Sequence, residues 1–301
     1  MIPEFPKFKK LELSDKKDIE KFTSKFPPYS DFNFISMWSW DVKGEMRISQ
    51  LYGNLVVRFT DYLTSNPFYS FLGNNKVNET AETLLNLSKK EGFGDKLKLV
   101  PEDLIKGLDS SRFNIEEDRN NFDYIFDINR ISTYAGGQFM KKRNKVSQLL
   151  RSFPGARVEK IDITDGNIKK KILKLDKFWL DNKTLKDPNF KIKNEFLATN
   201  RFFQSNFGDT FGVGIFTDEQ LIGYLIFSII TNKYAHSHFS KADTRIVGVY
   251  DYLMKESAKI LIDKKCFSLN YEQDLGITGL RESKKSFMSD YLKKFSVEFV
   301  R

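Results

Sequence analysis

The stretch FSLNYEQDLGITGLRESKKSF, residues 267–287, gathers groups suited to proton transfer and anion binding at the end of a strand-like run. Alternate strand residues face opposite sides. Phe267, Leu269 and Tyr271 are therefore expected in a core, with Ser268, Asn270 and Glu272 on the other face. Glu272 there would serve as a general base or orient an acceptor amine, and Asn270 could donate to an oxyanion. Gly276 and Gly279 would permit a tight turn and close approach of backbone to a ligand. Asp274, Arg281, Lys284 and Lys285 complete the constellation as substrate-binding candidates. The same residues also suit a strand that simply ends in solvent before a glycine-assisted turn.

A second basic segment is YAGGQFMKKRNKVSQLLRSF, residues 134–153. At 3.6 residues per turn Phe139, Val146, Leu150 and Phe153 share one stripe. Arg143 falls inside it; Lys141, Lys142 and Lys145 fall outside. An arginine in an apolar stripe needs a partner, for which Glu272 or Asp274 is a candidate, unless it snorkels to the surface. Lys141, Lys142 and Arg143 read either as a solvated face or as a ridge for phosphates. A third constellation, Arg245-Ile-Val-Gly248-Val-Tyr250, opens a helix. Small residues at a helix N-terminus let backbone N–H groups reach a pyrophosphate, but the Tyr250 ring is expected to obstruct that approach. Tyr250 either packs in the core with Val249 and Leu253 or serves an oxyanion or the donor. His236 and His238 stand two apart without Cys or carboxylate at ligand spacing, so no metal site is expected. The phosphate-loop, nucleophile-elbow and dinucleotide motifs do not occur.

The elements that would position these groups follow from periodicity. In the first half FKKLEL (8–13) reads as a strand, 14–26 as a helix stopped by Pro27-Pro28, and 32–40 as a short aromatic element. A three-strand meander follows, then a helix over 77–93, the strand KLKLVP, the helix PEDLIKGL, and FNIEEDRNNFDYIFD as a hairpin or bent strand. The second half repeats the order. It has a strand (157–164), helices over 167–180 and 190–208, and three strands ending in KYAHSHFS. A helix (244–263), the strand FSLNYEQ, the helix GITGLRESKKSF and the strand SVEFV close the chain. This is a duplication of topology, α+β, with boundaries expected at 1–133 and 134–301 and the site in the second half.

The 301 residues carry a net charge of +9, unevenly placed. Residues 1–130 hold 19 Lys and Arg against 21 Asp and Glu; residues 131–301 hold 30 against 19. A basic half suits a polyanionic partner such as nucleic acid, acidic lipid or a phosphorylated donor, or only a lysine-rich soluble surface. One cysteine, Cys266, excludes an internal disulfide. The longest apolar run, LIGYLIFSII, is shorter than the roughly 20 residues a spanning helix needs. No leader is apparent, and a cytoplasmic location is expected.

The element order resembles two GNAT acyltransferase folds in tandem, as in the Fem peptidyltransferases and lysyltransferase domains of lipid-modifying enzymes. NYEQDLGITGLRESKKSF is similar to the closing signature of the C-terminal domain of phosphatidylglycerol lysyltransferases. YSDFNFISMWSW (29–40), YAGGQFMKKRNKVSQLLRSF and HFSKADTRIVGVYDYL (238–253) match the same family in order. The resemblance implies two GNAT-like domains, each a mixed, mostly antiparallel sheet flanked by helices. It implies transfer of an aminoacyl group from charged tRNA to an amine or hydroxyl of a small molecule, lipid head group or peptide. Glu272, Asn270 and Tyr250 would be catalytic; Lys141, Lys142, Arg143, Arg245, Gly248, Asp274, Arg281, Lys284 and Lys285 would bind substrate. No tightly bound cofactor is expected. Acyl-CoA as donor, or a non-catalytic double-GNAT binding protein, are the alternatives.

Overall fold

The chain starts with a two-residue strand, β1 (Lys9–Lys10), not the longer one expected. Glu12 and Asp15 form a reciprocal capping box that turns the backbone early, and helix α1 (Lys16–Thr23) follows. The aromatic element is helix α2 (Phe34–Trp40), capped by Asn33, whose side chain accepts from the N–H groups of Ile35 and Ser36. Next come β2 (Arg47–Leu51), β3 (Asn54–Thr60), β4 (Pro67–Leu72), α3 (Val77–Lys90), β5 (Leu97–Pro101), α4 (Glu102–Ile105), β6 (Phe113–Glu117) and β7 (Asp123–Asp127). The second half contributes α5 (Ile128–Thr133), α6 (Met140–Ser152), β8 (Arg157–Ile161), α7 (Gly166–Lys186), α8 (Asn194–Phe203), β9 (Thr210–Thr217), β10 (Gln220–Ile229) and β11 (Tyr234–Ala242). It closes with α9 (Val249–Asp263), β12 (Ser268–Asn270), α10 (Thr278–Lys285), β13 (Asp290–Leu292) and β14 (Lys294–Phe299). The structure, a computed structural model, describes residues 1–186, 194–230 and 234–300; the expected helix start at 190–193 and strand residues 231–233 lie outside these.

Two compact units result. The first comprises Met1–Tyr124, Gln273–Glu282 and Tyr291–Arg301; the second comprises Ile125–Glu272 and Ser283–Asp290. These units are not contiguous in sequence, unlike the expected halves 1–133 and 134–301. The reason is strand exchange. β14 pairs antiparallel with both β5 and β6, with Lys294 opposite Pro101 and Phe295 opposite Glu117, and so completes a sheet of the first unit. β7 pairs antiparallel with β12, with Phe126 opposite Leu269. FNIEEDRNNFDYIFD is therefore not a hairpin: its two strands join different sheets.

In the first unit β1-β2-β3-β4 form one sheet and β5-β14-β6 another. Its core includes Ile48, Val56, Phe71, Leu84, Val100 and Val297. Lys294, fully buried, is ion-paired to Asp31 and, at 2.7 Å, to Asp123. Ser30 and Gln273 close the network, Ser30 donating to Asp123 and Gln273 to Asp31. Burial pushes Asp31 up, while on Lys294 the two carboxylates outweigh burial and hold the ammonium above its ordinary value. In the second unit β7, β12, β11, β10, β9 and β8 lie in that order, around Val213, Ile215, Leu225, Ile226, Leu253 and Leu261. Among the described residues of these six strands, only the β11–β12 contact is parallel. The chain thus adopts the expected α+β organisation of mostly antiparallel sheets flanked by helices. No helix among the described residues is long and apolar enough to cross a membrane.

Candidate functional site

The second unit contains a break in its sheet. Among the described residues β11 and β12 pair at three positions, Tyr234 with Ser268, Ala235 with Leu269 and His236 with Asn270. β11 then runs on to Ala242 while β12 stops. Opposite β10, the β11 register slips so that His238 is the extra residue of a bulge, which locally interrupts the ladder and re-aims side chains. Glu272 has φ +56°, so the expected period-two alternation ends at Tyr271. Within β12 the consecutive residues Leu269 and Asn270 are both buried, so both faces of the strand are covered there. Asn270 therefore does not line an open cleft; its Oδ1 accepts from the Glu272 N–H at 2.8 Å and fixes the turn. Phe267 is 52% exposed rather than in the core. Glu272 is part-exposed, with Oε1 3.3 Å from Nε2 of the buried His236. His236 stacks on His238 at 4.8 Å, and His238 Nε2 lies 2.9 Å from Ser228 Oγ.

Beside this break lies a polar cluster that the sequence did not single out. Lys241 on β11 is ion-paired to Glu195 on α8, with its Nζ 4.4 Å from the Trp179 ring centroid. Asp176, 3% exposed on α7, accepts from Tyr224 Oη at 2.6 Å, and its Oδ2 has no hydrogen-bond partner among the described residues. Burial pushes the Asp176 carboxyl up to about 6, opposed by Lys241 and Tyr224. Tyr224 is raised in turn by burial and by Asp176. Burial, then the Glu195 charge, raises Tyr250; Asp176 and Trp179 also act on it, so Tyr250 belongs to this cluster. Tyr271 donates to Ser240 Oγ at 3.1 Å, and Tyr250, Lys241 and Glu195 all act on its hydroxyl. The cluster thus holds two carboxylates against one ammonium, ringed by aromatic hydroxyls. A signal was present: Asp176 sits on the α7 stripe with Ile172 and Leu175, where an unpaired acid is costly.

The basic candidates fare differently. Lys142, expected outside the apolar stripe of α6, is buried: Nζ is 2.9 Å from Asp251 and 3.3 Å from the Phe287 ring centroid. Burial lowers it, opposed by Asp251. The buried stripe is Phe139, Lys142, Val146 and Leu149, while Leu150 is 39% exposed. Arg143 meets neither Glu272 nor Asp274; it donates to the carbonyls of Tyr134 and Gly136. Asp274, in the first unit, is fully buried and accepts from Arg119, Arg281, Tyr124 and the Gly276 N–H. Burial alone would raise it, but these donors hold it below the ordinary range. Arg281 is thereby committed to Asp274, and to Asn120 at 2.6 Å. Lys284 donates to the Tyr271 carbonyl. Lys141 and Lys285 are exposed. Arg245 pairs with Asp243 at 2.7 Å and lies over Phe178. Gly248 has φ +91°, and a Cβ there would stand 2.3 Å from the Lys145 carbonyl oxygen. Close packing on α6 therefore explains this glycine without a phosphate. Among the described residues no three His, Cys, Asp or Glu side chains are grouped to hold a metal ion.

Residues 26–298 match the family described as phosphatidylglycerol lysyltransferase, C-terminal. Among solved structures, a conserved protein of unknown function from Bacteroides thetaiotaomicron matches over 100% of both chains, with 24% identity and TM-score 0.83. The C-terminal domain of a putative lysylphosphatidylglycerol synthetase from Agrobacterium fabrum matches over 94% of this chain and 91% of that one, at 10% identity and TM-score 0.64. L-PGS from Bacillus licheniformis matches over 99% and 93%, at 10% identity and TM-score 0.60. No curated protein matches significantly. At these identities the structural likenesses establish the fold.

Proposed function

We propose, because the chain belongs to the phosphatidylglycerol lysyltransferase C-terminal family and is an acyltransferase-like protein of GNAT fold, that it moves an aminoacyl group from charged tRNA to an amine or hydroxyl. The observation that carries this is the charge balance of the second unit's cluster: Asp176 and Glu195 against Lys241. An aminoacyl group brings an ammonium, which an excess of buried carboxylate favours; an acetyl group brings none. The acceptor, a small molecule, lipid head group or peptide, would attack the ester carbonyl of the tRNA-linked amino acid. A new C–N or C–O bond forms, the ester C–O bond breaks, and the ribose hydroxyl leaves with a proton. Glu272, oriented by His236, is the candidate to accept the acceptor's proton. The hydroxyls of Tyr250 and Tyr271 are candidates to hold the donor or the developing oxyanion. Acyl-CoA gains little from residues 245–250, where Gly248 packs against Lys145 and Arg245 is engaged by Asp243.

The test offers tRNA charged with labelled amino acids, and separately labelled acetyl-CoA, to the protein. Acceptors are phosphatidylglycerol vesicles, a peptide pool and small amines. Label moving from tRNA to one acceptor, and lost with Glu272→Gln, supports the proposal. Label moving only from acetyl-CoA sinks it.

A further inference from the structure

The sequence placed the phosphate ridge on α6 and α10, but Lys142, Arg143 and Lys284 are consumed by internal partners. A different helix carries unpaired positive charge. α7 has seven lysines and two aspartates in 21 residues, and one of those aspartates, Asp176, is buried. Lys170, Lys174 and Lys177 follow one another at i, i+4 and i+7 and are all exposed. This spacing makes one stripe, about 10 Å long at ~1.5 Å per residue. Lys170 and Lys174 have no carboxylate partner among the described residues, and Lys177 has only the exposed Asp181 at 3.3 Å. At ~100° per residue, the stripe lies on the opposite side of α7 from the buried Ile172, Leu175 and Asp176. α6 carries five basic residues and no acid, but Lys142 and Arg143 are held by internal partners; α8 has Glu195 and Arg201, and α9 has two lysines against three acids.

We infer that the Lys170–Lys174–Lys177 stripe of α7 is a docking ridge for the phosphate backbone of RNA. This rests on the aminoacyl-tRNA reading and deepens it. One face of α7 presents Asp176 to the cluster that would take the aminoacyl group; the other faces outward with the charges that track a phosphate chain. Charge complementarity selects the occupant, and a row of three exposed ammonium groups, two of them without a carboxylate partner among the described residues, suits a linear polyanion better than a single small anion. Because the contacts are electrostatic, binding weakens with salt in proportion to the phosphates neutralised.

The test compares the full chain with Lys170→Gln/Lys174→Gln/Lys177→Gln and with a control that removes three exposed lysines of the first unit, Lys89→Gln/Lys90→Gln/Lys106→Gln. Glutamine is a good helix former, so both variants should fold. Binding of uncharged tRNA is titrated between 50 and 300 mM salt. The ridge variant should bind tens-fold more weakly near 0.15 M, with a log–log salt slope shallower by about 2, while the control stays close to wild type. Equal weakening in the control would mean net charge alone and would overturn the ridge. Unchanged tRNA binding in the ridge variant, with lost binding to phosphatidylglycerol vesicles, would overturn it in favour of a membrane surface. A wild-type chain that binds no tRNA would remove both the ridge and the donor. Tight wild-type binding untouched by the ridge variant would remove the ridge alone.

Discussion

Asp176→Asn should make the protein more stable and less able to hold an ammonium. Burial raises the Asp176 carboxyl from the ordinary 3.8 to about 6. A carboxyl raised in the folded state binds more protons folded than unfolded, so its stabilising contribution is full below about 4 and is lost as pH rises through 6. At ~1.4 kcal/mol per pH unit, keeping Asp176 ionised costs the fold about 3 kcal/mol above that range. Asparagine avoids the cost and keeps an oxygen for the Tyr224 hydroxyl. Its amide NH2 would replace the Oδ2 that has no described partner, and an unmet donor offsets about 1 kcal/mol. The net gain is about 2 kcal/mol at pH 8, shrinking towards pH 4, where wild type carries a neutral carboxyl. Urea denaturation of both proteins at pH 4, 5, 6, 7 and 8 reads the difference directly. A gap that does not widen with pH, or a variant less stable than wild type at pH 8, would refute the assignment of Asp176 as a strained buried charge.

Three further outcomes follow from the geometry. Lys294→Met removes the ammonium between two fully buried carboxylates and should destabilise by about 3–5 kcal/mol, measured by urea titration. Gly248→Ala forces a Cβ against the Lys145 carbonyl at positive φ and should cost about 2 kcal/mol or more, seen as a fall in Tm. Glu272→Gln keeps shape beside His236, so stability should change by less than about 1 kcal/mol, while label transfer from charged tRNA falls about a hundredfold or more.

The element order was legible because it rests on local signals: the Pro27-Pro28 stop, the meander, and the apolar periodicity of α3 and α9. Strand exchange was not, since nothing local tells β14 that its partners are β5 and β6 rather than strands of its own half. On α6 the stripe was misphased. A lysine at 142 looks like a surface residue until Asp251 and the Phe287 ring provide for its charge. At the opening motif, alternation placed Leu269 correctly. It failed for Asn270, which is buried and holds the Glu272 N–H, and it stops short of Glu272, whose left-handed backbone ends the strand. The polar cluster joins Asp176, Glu195, Tyr224, Lys241 and Tyr250. It is spread over 75 positions of sequence, so only the assembled sheet and helices bring it together.

The central claim is that this cluster receives the ammonium-bearing end of an aminoacyl donor. Calorimetry of a panel of amino-acid amides, which mimic the ester-linked residue, against wild type and Asp176→Asn at pH 7 and pH 5 tests it most directly. The account predicts that at least one amide binds wild type at pH 7, more weakly at pH 5 as Asp176 takes up a proton, and that the asparagine variant loses both the affinity and its pH dependence. Amides that bind neither protein, beside acetyl-CoA binding both equally, would contradict it.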